Sequence, residues 1–319
     1  MNLESLFASA LPIDRIISKN AQKIYGGNTV GTETAILGAV KPVTVEEIQS
    51  IIEIANEQNL KLYPISTGKN WGYSDSMPIT NNNIIVDLSM MNGVLDYNSD
   101  FSYVTVQPGV TQQQLADFLK ENGDIHMVSS TGSSPNASIV GNYLERGYGI
   151  APPIDHASAV TSLKAVLSDG SMYESVLAQK GCALIDKLYT HSLGAYTDGL
   201  FFQSGLGIVT EMTIKLARKP ETACLIITDT GQESISEVIN HLRHIRQKWD
   251  IPSLCIKVFN NLYVMAGSSI PYPTEYLDQN KTLPENIINT ICKNNEILPY
   301  SIIITLSALK RVDALTANR

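Results

Sequence analysis

The chain has 319 residues, 44% of them apolar and 17% charged, with a net charge of −8. That length exceeds a usual single domain and allows two units, while the composition excludes disorder, collagen-like order and a disulfide scaffold. The acidic balance and the lack of a basic tract exclude a nucleic-acid partner, which needs Lys and Arg gathered on one face.

In chain order, the first forty residues are mixed and are expected to form a docking segment. Ala35–Val40 reads as a strand and Val45–Gln58 as a helix, with Thr44 and Glu47 as its capping box and Ile48, Ile51, Ile52 and Ala55 as its apolar stripe. Leu62–Ile65 is the next strand. The loop Pro64–Tyr73 (PISTGKNWGY) leaves its carboxyl end, where ligands gather in α/β units. Ile84–Leu88 and Tyr103–Val106 are further strands, and Thr111 with Gln114 caps a helix over Gln112–Glu121. The next segment, Ser129–Asn142, is rich in hydroxyls and holds a short apolar step, Ile139–Val140, which Gly141 and Asn142 are expected to end. Thr161–Ser168 and Met172–Ser175 read as a hairpin turned at Asp169–Gly170 by a two-residue turn. Ile208–Leu216 is the last strand of this half.

After Lys219–Pro220 the texture changes. Cys224–Thr228, Ser253–Asn260 and Ser301–Leu306 are expected strands. A helix over Ser234–Trp249 is capped by Thr230 and Glu233, and Thr282, Pro284 and Glu285 open another. Between them lies a loop over Gly267–Leu283, and Lys310–Arg319 reads as a helix just begun. The pattern implies helices on one face of an antiparallel sheet.

Four isolated cysteines (Cys182, Cys224, Cys255, Cys292) lack any C-x-x-C spacing. They give no zinc site and no disulfide, and Cys224 and Cys255 read as small buried hydrophobes. His241 and His244 lie three apart on a helix without an acidic or cysteine partner, so no metal is expected. The N-terminus MNLESLFASALP lacks the basic region of a signal peptide. No run approaches the ~18 apolar residues of a membrane span. These readings favour a cytoplasmic protein without a membrane partner.

Three glycine-bearing stretches carry the chemistry: Pro64–Tyr73, Gly141–Gly149 (GNYLERGYG) and Gly199–Thr210 (GLFFQSGLGIVT). Glycine lets ligand oxygens reach main-chain N–H groups that a Cβ would block. Three such stretches point to one extended ligand gripped from several sides. The first is neither a Rossmann fingerprint nor a Walker loop, since Gly68-Lys69 is followed by Asn70 and Trp71. It offers instead a run of N–H groups from Ser66 to Asn70 as a nest for a diphosphate. Arg146 reads as an anion ligand or as a partner of Glu145 or another surface acid. His156 reads as a residue near the ligand or as one that holds a loop. Tyr263, Tyr272 and Tyr276 are pocket or surface aromatics.

In this order the three stretches, with Pro152 and Asp155-His156 following the second, resemble the flavin-binding domain of the vanillyl-alcohol oxidase / p-cresol methylhydroxylase family over roughly residues 35 to 220. The resemblance implies an α+β fold: an FAD-binding domain of two α+β subdomains over residues 1–220, then an incomplete α+β substrate or cap domain over 221–319. It implies FAD as cofactor. Pro64, Ile65, Ser66, Thr67, Gly68, Lys69 and Asn70 would cradle the pyrophosphate. Thr131, Gly132, Ser133, Ala137, Ser138, Gly141, Asn142, Gly147, Tyr148 and Gly149 would line the ribityl and flavin side, and Gly207, Ile208 and Val209 would back the adenine end.

The implied function is hydride transfer from a small alcohol, phenol or hydroxy acid to flavin N5. Open beside it are an enolpyruvyl-reductase-type donor and a truncated flavin-binding remnant without turnover. The implied partner is a small-molecule substrate, and self-association into a homo-oligomer is compatible with the chain. The sequence departs from the family in two places. No His lies near Gly68–Gly72 for covalent flavin attachment, and Thr131–Asn136 holds no acid, with Ser133 at the matching position. No catalytic residue is assigned.

Overall fold

The computed structural model describes residues 2–27, 34–70, 74–230, 234–248, 255–268, 270, 273–278 and 282–308. Trp71–Tyr73, Glu233, Trp249, Ser253, Tyr272 and the helix expected over Lys310–Arg319 lie outside them. The chain divides into two compact units, Met1–Lys219 and Pro220–Arg319.

The first unit opens with α1 (Leu3–Phe7), β1 (Ile16–Ile17) and α2 (Ala21–Tyr25). These are a docking segment in fact: Leu3, Phe7, Leu11 and Ile16 are buried in one core with Ile48, Ile51 and Ile84. Next come β2 (Ile36–Val40), α3 (Val45–Glu57) and β3 (Lys61–Ile65), a two-strand ribbon of β4 (Lys69–Asn70) and β5 (Ser74–Asp75), and β6 (Asn83–Asp87). Thr44 caps α3 by accepting from Glu47 N at 3.2 Å, and the predicted stripe of four residues is buried. The sheet order is β1-β2-β6-β3, with β2 and β3 both parallel to β6. The strands on either side of α3 are therefore not neighbours. β6 lies between them, and Ile84, Ile85 and Val86 are wholly buried, as a central parallel strand requires.

The rest of the unit carries a second sheet. β7 (Val94–Asn98) and β8 (Tyr103–Val106) form a hairpin, followed by α4 (Gln112–Glu121), β9 (His126–Met127) and α5 (Ile139–Leu144). Then come β10 (Val160–Leu167), β11 (Met172–Tyr173), α6 (Val176–Gln179), α7 (Ala183–Leu188), β12 (Gly207–Lys215) and β13 (Ala217–Arg218). The order is β11-β10-β12-β8-β7. Thr111 and Gln114 make the predicted capping box of α4. The β10–β11 connection differs from the expected two-residue turn. Leu167 N donates to Ser171 O, so three residues are spanned, with Gly170 at φ +81° supplying the left-handed position. The two sheets share a core, since Val166 and Ile208 pack with Ile84 and Val86.

In the second unit, β14 (Thr222–Thr230), α8 (Ile235–Lys248), β15 (Cys255–Asn260), α9 (Asn261–Gly267), α10 (Glu285–Asn294) and β16 (Tyr300–Ala308) form an antiparallel sheet of order β14-β16-β15 with its helices. Thr230 ends β14, and α8 is capped by Ser234 and Glu237, through Glu237 N to Ser234 Oγ and Ser234 N to Glu237 Oε2. Thr282 donates to Asp278 and leaves the start of α10 to Pro284. Asn260 caps α9 through Tyr263 N, a helix the sequence reading leaves out. Cys255 and Cys292 are buried. No helix among the described residues is long and apolar enough to cross a membrane.

Candidate functional site

β3 delivers the first glycine stretch to the mouth of a cleft of about 480 Å³ in the first unit. Pro64, Ile65, Ser66, Thr67, Gly68 and Asn70 line it, whereas Lys69 is exposed and does not. Gly68 sits at φ +63°, and a Cβ there would lie 2.8 Å from Ser76 Cβ, so both conformation and space demand glycine. Thr67 Oγ1 and Asn70 Oδ1 are buried without a hydrogen-bond partner. Each such atom costs about 1–3 kcal/mol unless something supplies its partner. Gly68→Val is expected to lower stability by roughly 1–3 kcal/mol through left-handed strain, read as a fall in Tm on thermal denaturation without ligand.

The second stretch corrects the sequence reading. Ile139–Val140 is not stopped by Gly141 and Asn142 but continues as α5, because Ser138 Oγ accepts from Gly141 N at 3.0 Å and caps the helix. Gly141 then faces the first loop, and a Cβ on it would meet Asn70 Nδ2 at 3.1 Å and Ser66 Oγ at 3.1 Å. Leu144 and Glu145, one turn on, share that face and also line the cleft. Ala137 and Ser138 are wholly buried, and Ser138 Oγ is committed to Pro108 O as well.

Other residues of this stretch lie elsewhere. Thr131 and Ser133 line a separate pocket of about 370 Å³ beside α4. Gln112 holds them there, its Nε2 donating to Thr131 Oγ1 at 2.7 Å and its Oε1 accepting from Thr131 N at 3.0 Å. Gly132 is exposed. Asn142, Gly147, Tyr148 and Gly149 are not brought to the cleft wall either. His156, wholly buried, stacks on Tyr143 at 4.7 Å and reaches Asn142 Oδ1 at 2.5 Å and Ser129 Oγ at 2.9 Å. A Cβ on Gly149 would lie 2.7 Å from His156 Nε2. His156 thus holds this turn together. Arg146 is exposed and lies over the Phe202 ring at 5.8 Å.

The third stretch closes the cleft with Gly207, Ile208 and Val209. Gly207 has no room for a side chain, since its Cβ would lie 2.8 Å from Val166 O. Phe201 and Gln203–Gly205, upstream in the same phrase, line the cleft and are missed by the sequence reading. Gln203 N donates to Leu144 O at 3.0 Å, which ties this wall to α5. Charge divides the cleft: Glu145, Asp75 and Tyr63 line it too. Burial first, then Glu145 and Asp75, push the Tyr63 phenol up. The carboxylates thus lie on one part of the wall and the hydroxyl and amide groups of Ser66–Asn70 on another.

Residues 36–175 match a family described as an FAD binding domain. The chain is 32% identical over 260 residues to the 1'-carboxy-chondrochloren decarboxylase of Chondromyces crocatus, covering 82% of this chain and 48% of that protein. It is 29% identical over 257 residues to the 4-cresol dehydrogenase (hydroxylating) flavoprotein subunit of Pseudomonas putida, covering 80% and 49%. The crystal structure of p-cresol methylhydroxylase with substrate bound superposes with a TM-score of 0.86 at 26% identity, over 99% of this chain and 62% of that one. The chain is similar to flavoproteins of the vanillyl-alcohol oxidase / p-cresol methylhydroxylase family.

The cofactor of this family domain is FAD. The cleft fits that group on two observations: the unpartnered atoms of Thr67 and Asn70 in the loop that lines it, and the left-handed main chain at Gly68 between them. The chain spans about half the length of the curated relatives it matches.

Proposed function

We propose that the cleft between the two sheets of the first unit holds FAD and that the protein is an FAD-linked oxidoreductase acting on a small alcohol, phenol or hydroxy acid. The observation that carries this is the pair of buried, unpartnered atoms, Thr67 Oγ1 and Asn70 Oδ1, in the loop that lines the cleft. In this reading the Thr67 hydroxyl donates to the diphosphate, alongside the left-handed main chain at Gly68, while Asn70 Oδ1 accepts from a hydroxyl or N–H of the ligand. Val140, Phe201 and Ile208 form apolar walls that exclude water from it. Glu145 and Asp75 flank the end where hydroxyl and amino groups of a nucleoside can donate to them. Bound FAD supplies a two-electron acceptor for a hydride. The relatives' names, a cresol dehydrogenase and a carboxy-chondrochloren decarboxylase, favour small organic donors.

The purified chain, mixed with FAD and passed through a desalting column, is expected to elute with flavin absorbance. Acid precipitation then separates covalent from dissociable flavin. A protein that emerges colourless overturns the reading. Anaerobic titration with 4-alkylphenols, 2-hydroxy acids and NADPH identifies the donor, because only a true donor bleaches the flavin.

A further inference from the structure

The central strand β6 ends in a buried charge directly behind the first glycine loop. Asp87 is in register with Ile65, the last residue before Ser66, at the spacing of adjacent strands, about 4.8 Å. The following residue, Leu88, lines the cleft. The Asp87 side chain is 7% exposed, and its Oδ2 lies 3.0 Å from Lys41 Nζ. The same oxygen accepts from Tyr25 Oη at 2.7 Å, while Oδ1 accepts from Ser89 N at 3.0 Å. The main-chain carbonyl of Tyr25 accepts from Ser76 Oγ at 3.0 Å, and Ser76 is the residue packed beneath Gly68. The cluster therefore supports the loop from below and places an ion pair there.

Lys41 is the cation that faces Asp87 among the described residues. Arg15, whose Nη1 reaches Lys41 O, is held by Glu47 at 2.6 Å. Burial alone would raise the Asp87 carboxyl, but the bonds from Ser89, Tyr25 and Lys41 outweigh it and hold it below its ordinary value. Burial and the Asp87 charge push the Tyr25 phenol well up, so it stays a neutral donor.

We propose that Lys41 is a positioning residue for the dinucleotide: paired with Asp87 behind the cradle, it keeps an uncompensated negative charge from facing the diphosphate held by Ser66–Asn70. This rests on the FAD reading above. Because the pair acts through the sign of its charges, its two members have opposite effects. Lys41→Met leaves a bare carboxylate and weakens binding. Asp87→Asn leaves a bare ammonium, keeps one oxygen for Ser89 N with its amide placed to donate to the Tyr25 hydroxyl, and strengthens it. A purely structural cluster weakens binding in both variants.

The test measures binding of FAD, ADP and adenosine to the wild-type chain and to three variants, at low and high salt, with circular dichroism as the fold control. At pH 7 Lys41→Met is expected to bind FAD and ADP about tenfold more weakly, the scale of one unpaired charge near a dianion in a medium of intermediate dielectric. Lowering the pH relieves this loss, since Asp87 without its cation takes up a proton. Asp87→Asn binds both more tightly, and salt diminishes the gain. The double variant returns to the wild-type affinity, and adenosine, lacking the diphosphate, responds to none of the changes. If Lys41→Met does not fold, Asp87→Asn decides alone: equal losses for all three ligands overturn the proposal, as does its own failure to fold. Wild-type protein that ignores FAD overturns the parent reading instead, and FAD binding indifferent to both charges overturns only this one.

Discussion

Gly141→Val is expected to remove FAD binding while leaving the first unit folded. The position is the third residue of α5, where valine is tolerated at least as well as glycine by helix propensity. Its Cβ would lie 3.1 Å from both Asn70 Nδ2 and Ser66 Oγ and 3.2 Å from Ser66 Cβ, so a branched side chain here must push the first loop aside. Crowding there costs roughly 1–3 kcal/mol, and the loss of hydrogen bonds from Thr67 and Asn70 to the ligand costs a further ~1–3 kcal/mol. Together they amount to a loss of roughly one to four orders of magnitude in affinity. Gly141→Ala, which adds only the Cβ, should fall between. The measurement is fluorescence titration with FAD, with thermal unfolding of the apo-proteins as control. Near-wild-type affinity in Gly141→Val would mean that the diphosphate is not held by the part of the first loop that α5 packs against.

That geometry was only partly legible in the sequence, and the reasons are physical. The boundaries of α3 and α4 are readable because Thr44, Thr111 and Gln114 act locally, through hydrogen bonds within one helical turn. α5 is hidden because glycine and asparagine are weak helix formers. What makes Ile139–Leu144 helical is the buried Ser138 cap and the packing of Ile139, Val140 and Tyr143 in the core. Missing that helix also hides Glu145, whose place on the cleft follows only from a 3.6-residue repeat counted from Gly141. The strand β7 escapes because Val94–Asn98 has weak alternation and depends on its pairing with β8. The position of β6 had a usable signal, since three consecutive buried apolar residues mark a strand covered on both faces. Thr131 and Ser133 carry the hydroxyls expected of a ligand loop, yet Gln112, distant in sequence, fixes where they go. Side-chain hydrogen bonds between distant residues are what a single sequence does not display.

Asp198→Asn is expected to stabilise the first unit at neutral pH and to do nothing at pH 4. Asp198 is 3% exposed and accepts from Tyr173 Oη at 2.6 Å. Burial raises its pKa to about 6, the Tyr173 hydrogen bond lowers it in part, and the charge of Asp186 raises it further. Asp186 is itself buried and bonded to Ser175 Oγ. Since the folded value lies above the ordinary 3.8, the folded state holds this proton more tightly than the unfolded chain does. The stabilisation is therefore whole below about pH 4, declines as pH rises to about 6, and is absent at pH 7. Asparagine keeps the oxygen that Tyr173 needs and never ionises, so it should recover roughly 2 kcal/mol at pH 7 after allowance for relaxation around the charge. For a unit of this size that is a rise in Tm of roughly 4–8 °C. The site also bears on the cleft, because Tyr173 packs 4.6 Å from Phe201, which forms part of its wall. Thermal unfolding of both proteins from pH 4 to pH 8 decides the matter. A gain equally large at pH 4 would show that the substitution acts through packing, and no gain at pH 7 would show that the ionised carboxylate is stabilised by groups beyond Tyr173.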